Sequence, residues 1–84
     1  MSYFIYILRC NDDTLYTGIA KDVEKRILEH NESDKGAKYT KARRPVKLLY
    51  TEEAEDRSVA SKREYAIKKL SRTKKLELIE NSKT

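Results

Sequence analysis

Cysteine, histidine and proline each occur once in this chain, tryptophan is absent, and glycine occurs twice. Each scarcity excludes something. The lone Cys10 has no internal disulfide partner, which fits a reducing cytosol. One cysteine and one histidine cannot supply the usual four ligands of a zinc site. Gly18 stands alone in GIAK, so no glycine-rich phosphate loop is present, and no Gly-x-Ser-x-Gly elbow occurs. Apolar runs are short. The stretch Tyr3 to Leu8 lacks a basic flank, and it is too short for a signal peptide core or a membrane span. These features point to a cytoplasmic protein with no membrane partner.

What is present is charge. Of 84 residues, 39% are charged and 38% hydrophobic, and 19 Lys+Arg against 14 Asp+Glu leave a net charge of +5. A basic balance favours polyanionic partners, most often nucleic acid. A chain of this length has room for one core, so residues 1–84 are read as a single domain. With little glycine or proline to interrupt it, most of that domain should be regular structure.

YFIYILRC, Tyr3 to Cys10, is aromatic and β-branched throughout, as in a buried central strand. NDDT, Asn11 to Thr14, is a turn cluster, and LYTGIA, Leu15 to Ala20, resumes strand character with a turn expected at Gly18. Asp22 suits a helix N-cap for VEKRILEH, with the helix running to about Ser33. Lys35 to Pro45 has no apolar period and reads as a basic loop. Val46 to Glu55 reads as a third strand. Asp56 to Ser58 starts a helix whose apolar positions are Val59, Ala60, Ala66, Ile67 and Leu70, and Ser71 caps a last helix through Leu76 and Ile79. The order β-β-α-β-α-α, a hairpin plus one more strand with helices packed on it, gives an α+β sandwich.

Within this frame certain polar groups stand out. A turn centred near Asn11 makes Tyr6 and Tyr16 cross-strand neighbours. They are an aromatic pair stabilising the sheet, or two phenols presented at one edge. Arg26 and His30 lie four apart on the next helix and fall beside Val23 and Ile27 rather than on the solvated side. The bland alternative is a snorkelling arginine with a histidine at the core margin. Glu64 sits at the margin of an apolar stripe. It is either a surface glutamate paired with Lys68, or a carboxylate able to hold Mg²⁺. Arg63 falls in the middle of the same stripe, where its head must find a carboxylate or leave sideways. Lys35, Lys38, Lys41, Arg43 and Arg44 surround Tyr39. An aromatic among positive charges is the composition of a strand-tracking surface, and equally of a solvated basic loop.

FIYIL, LYTGI, Arg26 with His30, and Glu64 together resemble the GIY-YIG nuclease superfamily, from Tyr3 to about Leu70. The similarity is greatest to its small standalone bacterial members. The first motif tyrosine falls on Tyr6 and the second on Tyr16. The helix arginine falls on Arg26, the position that holds His or Tyr in the family on His30, and the metal-binding glutamate on Glu64. The first motif here is Phe4-Ile5-Tyr6, without its glycine, and Thr17 stands where the family name has isoleucine. The resemblance implies a small three-stranded antiparallel sheet flanked by helices, and a metal-dependent endonuclease that hydrolyses phosphodiester bonds in nucleic acid, DNA ahead of RNA, in repair or recombination. It implies one Mg²⁺ or Mn²⁺ on Glu64, phosphate contact by Arg26, and Tyr6 or His30 as general base, with Tyr16 orienting water or phosphate. The competing reading is a non-catalytic nucleic-acid-binding module that keeps the fold. In either case Lys35, Lys38, Tyr39, Lys41, Arg43 and Arg44 would track the strand.

Overall fold

The computed structural model describes residues 2–33 and 35–82. Three strands, β1 (Tyr3–Arg9), β2 (Leu15–Ala20) and β3 (Lys47–Ala54), form one antiparallel sheet in the order β2-β1-β3. The helices are α1 (Val23–Glu32), the single turn α2 (Lys38–Lys41), α3 (Arg57–Lys68) and α4 (Arg72–Asn81). The expected order holds, with α2 as an addition inside the segment read as a basic loop.

β1 is central because four successive side chains, Ile5 to Leu8, are buried, and alternation sends them to both faces. Ile5 and Ile7 pack with Ala54, Ala60, Ile67 and Ile79 under α3 and α4. Tyr6 and Leu8 pack with Cys10 and Val46, and with Val23 and Ile27 of α1, on the other face. Helix α1, the sheet, and the α3–α4 pair are therefore three layers over two apolar clusters, each held by removal of apolar area from water.

The helix starts follow from their caps. The Asp22, Asp56 and Ser71 side chains accept from the backbone N–H of Lys25, Val59 and Lys74 at 3.1, 2.9 and 3.2 Å. On α3 the stripe differs from expectation. Ala60 and Ile67 are buried, whereas Val59 and Ala66 are exposed, so the packed face passes through the turn that carries Arg63 and Glu64. Arg63 resolves its position by pairing with Glu52 on β3 at 2.7 Å, and the Tyr50 hydroxyl donates to the same carboxylate at 2.6 Å.

Two sequence expectations about the hairpin are corrected. Tyr6 is paired with Gly18, and Tyr16 with Leu8, so the two tyrosines are diagonal rather than direct neighbours. The cause is the turn. Asp12 accepts from the Thr14 hydroxyl at 2.6 Å and from its N–H at 3.2 Å, and Asp13 takes the left-handed conformation with φ 69°. This centres the hairpin on Asp12 instead of Asn11. A shift of two residues keeps every side chain on its face, so the tyrosines still share one.

Gly18, expected to turn the chain, lies instead inside β2 and is buried. Its role is close approach. A Cβ there would lie 2.4 Å from the Tyr6 hydroxyl oxygen and 2.6 Å from the adjoining ring carbon. We expect Gly18→Ala to displace that ring and to cost ~1–3 kcal/mol, as overpacking does. Urea unfolding of the variant against the parent measures it, and an unchanged midpoint would refute the close-packing role.

Candidate active site

Tyr6 stands at the centre of the α1-side cluster, with 1% of its surface exposed. Its hydroxyl lies 2.9 Å from Nε2 of His30, one helix away. His30 is wholly buried, the only buried residue of α1. The opposite ring nitrogen, Nδ1, lies 2.7 Å from the hydroxyl of Thr40 in α2, and the Thr40 hydroxyl is also 2.9 Å from the Ala37 carbonyl. The Ala37 N–H approaches Nδ1 at 3.4 Å. The four groups form a continuous buried polar chain from the sheet to the single-turn helix.

Tyr16 closes the site on one side. Its ring centroid is 6.4 Å from that of Tyr6 and 5.3 Å from the His30 ring, edge to face with the latter. Tyr39 stacks on Tyr16 at 5.9 Å, and the Arg43 guanidinium lies 3.9 Å from the Tyr39 ring centroid. One of the six expected strand-tracking residues thus joins the tyrosine pair directly.

Arg26 reaches the site from α1. Its Nη1 donates to Glu29 at 2.9 Å and to the Lys35 carbonyl at 2.8 Å, which fixes the plane of the fork. Burial pushes the Tyr6 phenol up to about 12, and the neighbouring Arg26 guanidinium pulls the other way. Tyr16 and the carboxylate of Glu64 also raise it, so Glu64 on α3 acts electrostatically on the same phenol. Burial holds the His30 imidazole down to about 4, reinforced by the positive charges of Arg26 and Arg44. Both groups are therefore neutral near pH 7.

Glu64 is half-buried and lies 3.4 Å from Lys68, as the i+4 pairing anticipated. Among the described residues no three His, Cys, Asp or Glu side chains cluster to hold a metal ion. A single carboxylate is enough for an octahedral Mg²⁺ or Mn²⁺ only when phosphate oxygens and water supply the other ligands. The donor present fits that case, because Glu64 is a partly exposed oxygen donor whose lysine partner is exposed.

The remaining basic residues divide into two groups. Lys35, Lys38 and Lys41 are exposed at the surface. The Arg44 guanidinium turns inward and donates to the carbonyls of Glu29, His30 and Ser33 at the C-terminus of α1. Arg43 pairs with Asp12 at 2.9 Å and donates to the Tyr39 carbonyl at 2.8 Å. Both arginines fasten the segment to the fold. Asn31 fastens its far end, accepting from the Val46 N–H at 2.7 Å and donating to its carbonyl at 3.2 Å. Sequence reasoning missed Thr40, Ala37 and the seat that Gly18 gives Tyr6. A threonine amid lysines in a segment without period leaves no pattern to find.

Among the described residues no helix is long and apolar enough to cross a membrane. The model of the GIY-YIG catalytic domain matches residues 2–77. The chain is 58% identical over 81 residues to the UPF0213 protein DP2720 of Desulfotalea psychrophila, covering 96% of this chain and 74% of that one. It is 60% identical over 77 residues to the UPF0213 protein SSP2268 of Staphylococcus saprophyticus, covering 92% and 93%. Two solution NMR structures are similar. The UPF0213 protein BH0048 of Bacillus halodurans has TM-score 0.61 and 44% identity, covering 95% of this chain and 84% of that one. The protein EF2693 of E. faecalis has TM-score 0.66 and 42% identity, covering 96% and 85%. A family match over residues 2–77, nearly the whole length, means that the chain belongs to the GIY-YIG domain family.

Proposed function

We propose that the protein is a metal-dependent endonuclease that hydrolyses phosphodiester bonds in nucleic acid, DNA in preference to RNA, in repair or recombination. The observation that carries this reading is convergence on the Tyr6 hydroxyl. His30 Nε2 lies 2.9 Å from it, and beneath the dominant effect of burial the charges of Arg26 on α1 and Glu64 on α3 shift its titration in opposite directions. A structural tyrosine needs one hydrogen-bond partner. It does not need a cation and an anion from separate layers.

His30 has Nε2 engaged by the Tyr6 hydroxyl and Nδ1 by the Thr40 hydroxyl, so neither ring nitrogen is left for an attacking water. Tyr6 is the group that takes the water's proton, passing its own to His30 Nε2. Arg26 contacts a non-bridging phosphate oxygen with the part of its fork not held by Glu29 and Lys35. Tyr16 orients water or phosphate from the neighbouring strand. Glu64 would hold one Mg²⁺ or Mn²⁺, whose chemistry here is neutralisation of charge on the phosphate and its leaving oxygen. The exposed Lys35, Lys38 and Lys41, with Tyr39 beside the site, would track the strand.

A second reading has one specific observation in its favour. Glu64 is paired with Lys68, and a carboxylate neutralised by a lysine has no need of a metal. In that reading the protein binds nucleic acid without cutting it.

Single-stranded, duplex and branched DNA and RNA, each with Mg²⁺, Mn²⁺ or chelator, separate the two. We expect metal-dependent cutting that Glu64→Ala abolishes, and that Arg26→Ala slows by ~3–4 kcal/mol in the barrier, as loss of an oxyanion donor does. No cutting by the parent, with binding unchanged in Glu64→Ala, would establish the binding module instead. The pH profile is a further check. The working form has His30 neutral and Tyr6 protonated. It is lost as pH falls through about 4, where His30 gains a proton, and as pH rises through about 12, where Tyr6 loses one. We therefore expect kcat/KM to be level from about pH 5.5 to about 9. An inflection near 6.5 would mean that a solvated imidazole does the chemistry.

A further inference from the structure

We propose that Thr40 is a positioning residue: its hydroxyl fixes His30 in the tautomer that carries hydrogen on Nδ1, leaving Nε2 to accept from Tyr6. The consequence for catalysis rests on the nuclease reading above. The consequence for the tautomer does not.

The assignment follows from counting protons. The Thr40 hydroxyl has one, and two neighbours could receive it: the Ala37 carbonyl at 2.9 Å and His30 Nδ1 at 2.7 Å. A carbonyl can only accept. Two oxygens at 2.9 Å with no proton between them would repel, so the Thr40 proton goes to Ala37. The Thr40 oxygen then offers lone pairs to Nδ1. A contact of 2.7 Å is a hydrogen bond only if Nδ1 donates. A neutral imidazole has one donor and one acceptor, so Nε2 is the acceptor facing the Tyr6 hydroxyl at 2.9 Å. Two observations oppose this: the Ala37 carbonyl already accepts from the N–H groups of Thr40 at 3.1 Å and Lys41 at 3.2 Å, and the Ala37 N–H stands 3.4 Å from Nδ1. The last contact is longer than the usual limit for a hydrogen bond of this kind and is the weakest in the set.

Burial makes the assignment consequential. Tyr6, His30 and Thr40 have 1%, 0% and 0% of their surface exposed, so solvent does not stand in for a missing partner. The opposite tautomer would leave the Thr40 oxygen facing the Ala37 carbonyl and present Nε2–H to a phenol that must give up its proton. Thr40 is itself held in place. Its N–H bonds the Ala37 carbonyl at 3.1 Å, the Asn11 N–H bonds the Arg43 carbonyl at 2.8 Å, and Arg44 ties the segment to the end of α1. The orienting group of a catalytic histidine is commonly a carboxylate or a backbone carbonyl. Here a hydroxyl does that work by relaying to a carbonyl.

The test is ¹⁵N NMR of the protein labelled at its single histidine, with Thr40→Ser and Thr40→Val beside the parent. We expect Nδ1 to appear as a pyrrole-type, protonated nitrogen and Nε2 as a pyridine-type acceptor, in the parent and in Thr40→Ser. In Thr40→Val, which keeps the shape and loses the hydroxyl, we expect the two nitrogens to exchange character wholly or in part. On a substrate that the parent cuts, kcat of Thr40→Val should fall ~10- to 100-fold with KM unchanged, and Thr40→Ser should restore it. Hydrogen on Nε2 in the parent would overturn the proposal. So would a Thr40→Val protein with the parent's tautomer and the parent's kcat. If Thr40→Val does not fold, the parent spectrum alone decides the tautomer. If the parent cuts nothing, the same spectrum still decides it, and only the nuclease reading fails.

Discussion

A histidine sealed from water must have both ring nitrogens matched by protein groups, and this requirement organises the site. His30 sits on α1, its Nε2 partner is in the central strand, and its Nδ1 partner is in the segment that follows α1. Satisfying it forces α2 against α1 and α1 against the sheet, so an apolar layer is also a polar circuit. An unpaired polar atom in such a place typically costs ~1–3 kcal/mol, which makes each link structurally significant whatever its chemistry. The Tyr6 ring can reach this circuit because Gly18 offers it a flat stretch of backbone. The motif glycine and the motif tyrosine are thus two halves of one steric fit.

The parts of this arrangement legible in the sequence are those set by near neighbours in the chain. The three caps at Asp22, Asp56 and Ser71 are side chains bonding an N–H three residues on, and residue type and spacing suffice to see them. The central strand is legible because β1 is apolar on both faces. The placement of Arg26 and His30 beside Val23 and Ile27 is legible because α1 has a clear period. Register was less so. It depends on whether Asn11 or Asp12 centres a turn, and that is settled by Thr14 bonding back to Asp12. The shared face of Tyr6 and Tyr16 survived only because the error was even.

The segment from Lys35 to Pro45 was legible as charge and illegible as structure. Its single helical turn is held by partners distant in sequence, at Asp12, Asn11, Glu29, His30 and Ser33. No window of local residues contains those partners. Thr40 shows the same limit in one residue. Its importance lies in what folds over it, and a threonine between lysines looks solvated. Arg63 is the milder case. The sequence placed it awkwardly in an apolar stripe, and the awkwardness was the trace of Glu52 on the adjoining strand.

Arg43 and Arg44 look on paper like the best phosphate ligands in the chain, since a guanidinium grips an anion through two parallel bonds. In the fold they serve as rivets. This separates two kinds of positive charge that a titration of binding against salt would lump together. The lysines contribute to the field around the molecule, and that field scales with charge alone. The arginines contribute to shape. Truncating either of them would unfasten the wall of the histidine chamber as well as subtract a charge, so alanine scanning would overstate the electrostatic share of binding. Lysine at position 43 or 44 would keep the charge and lose the rivet, and so tell one contribution from the other.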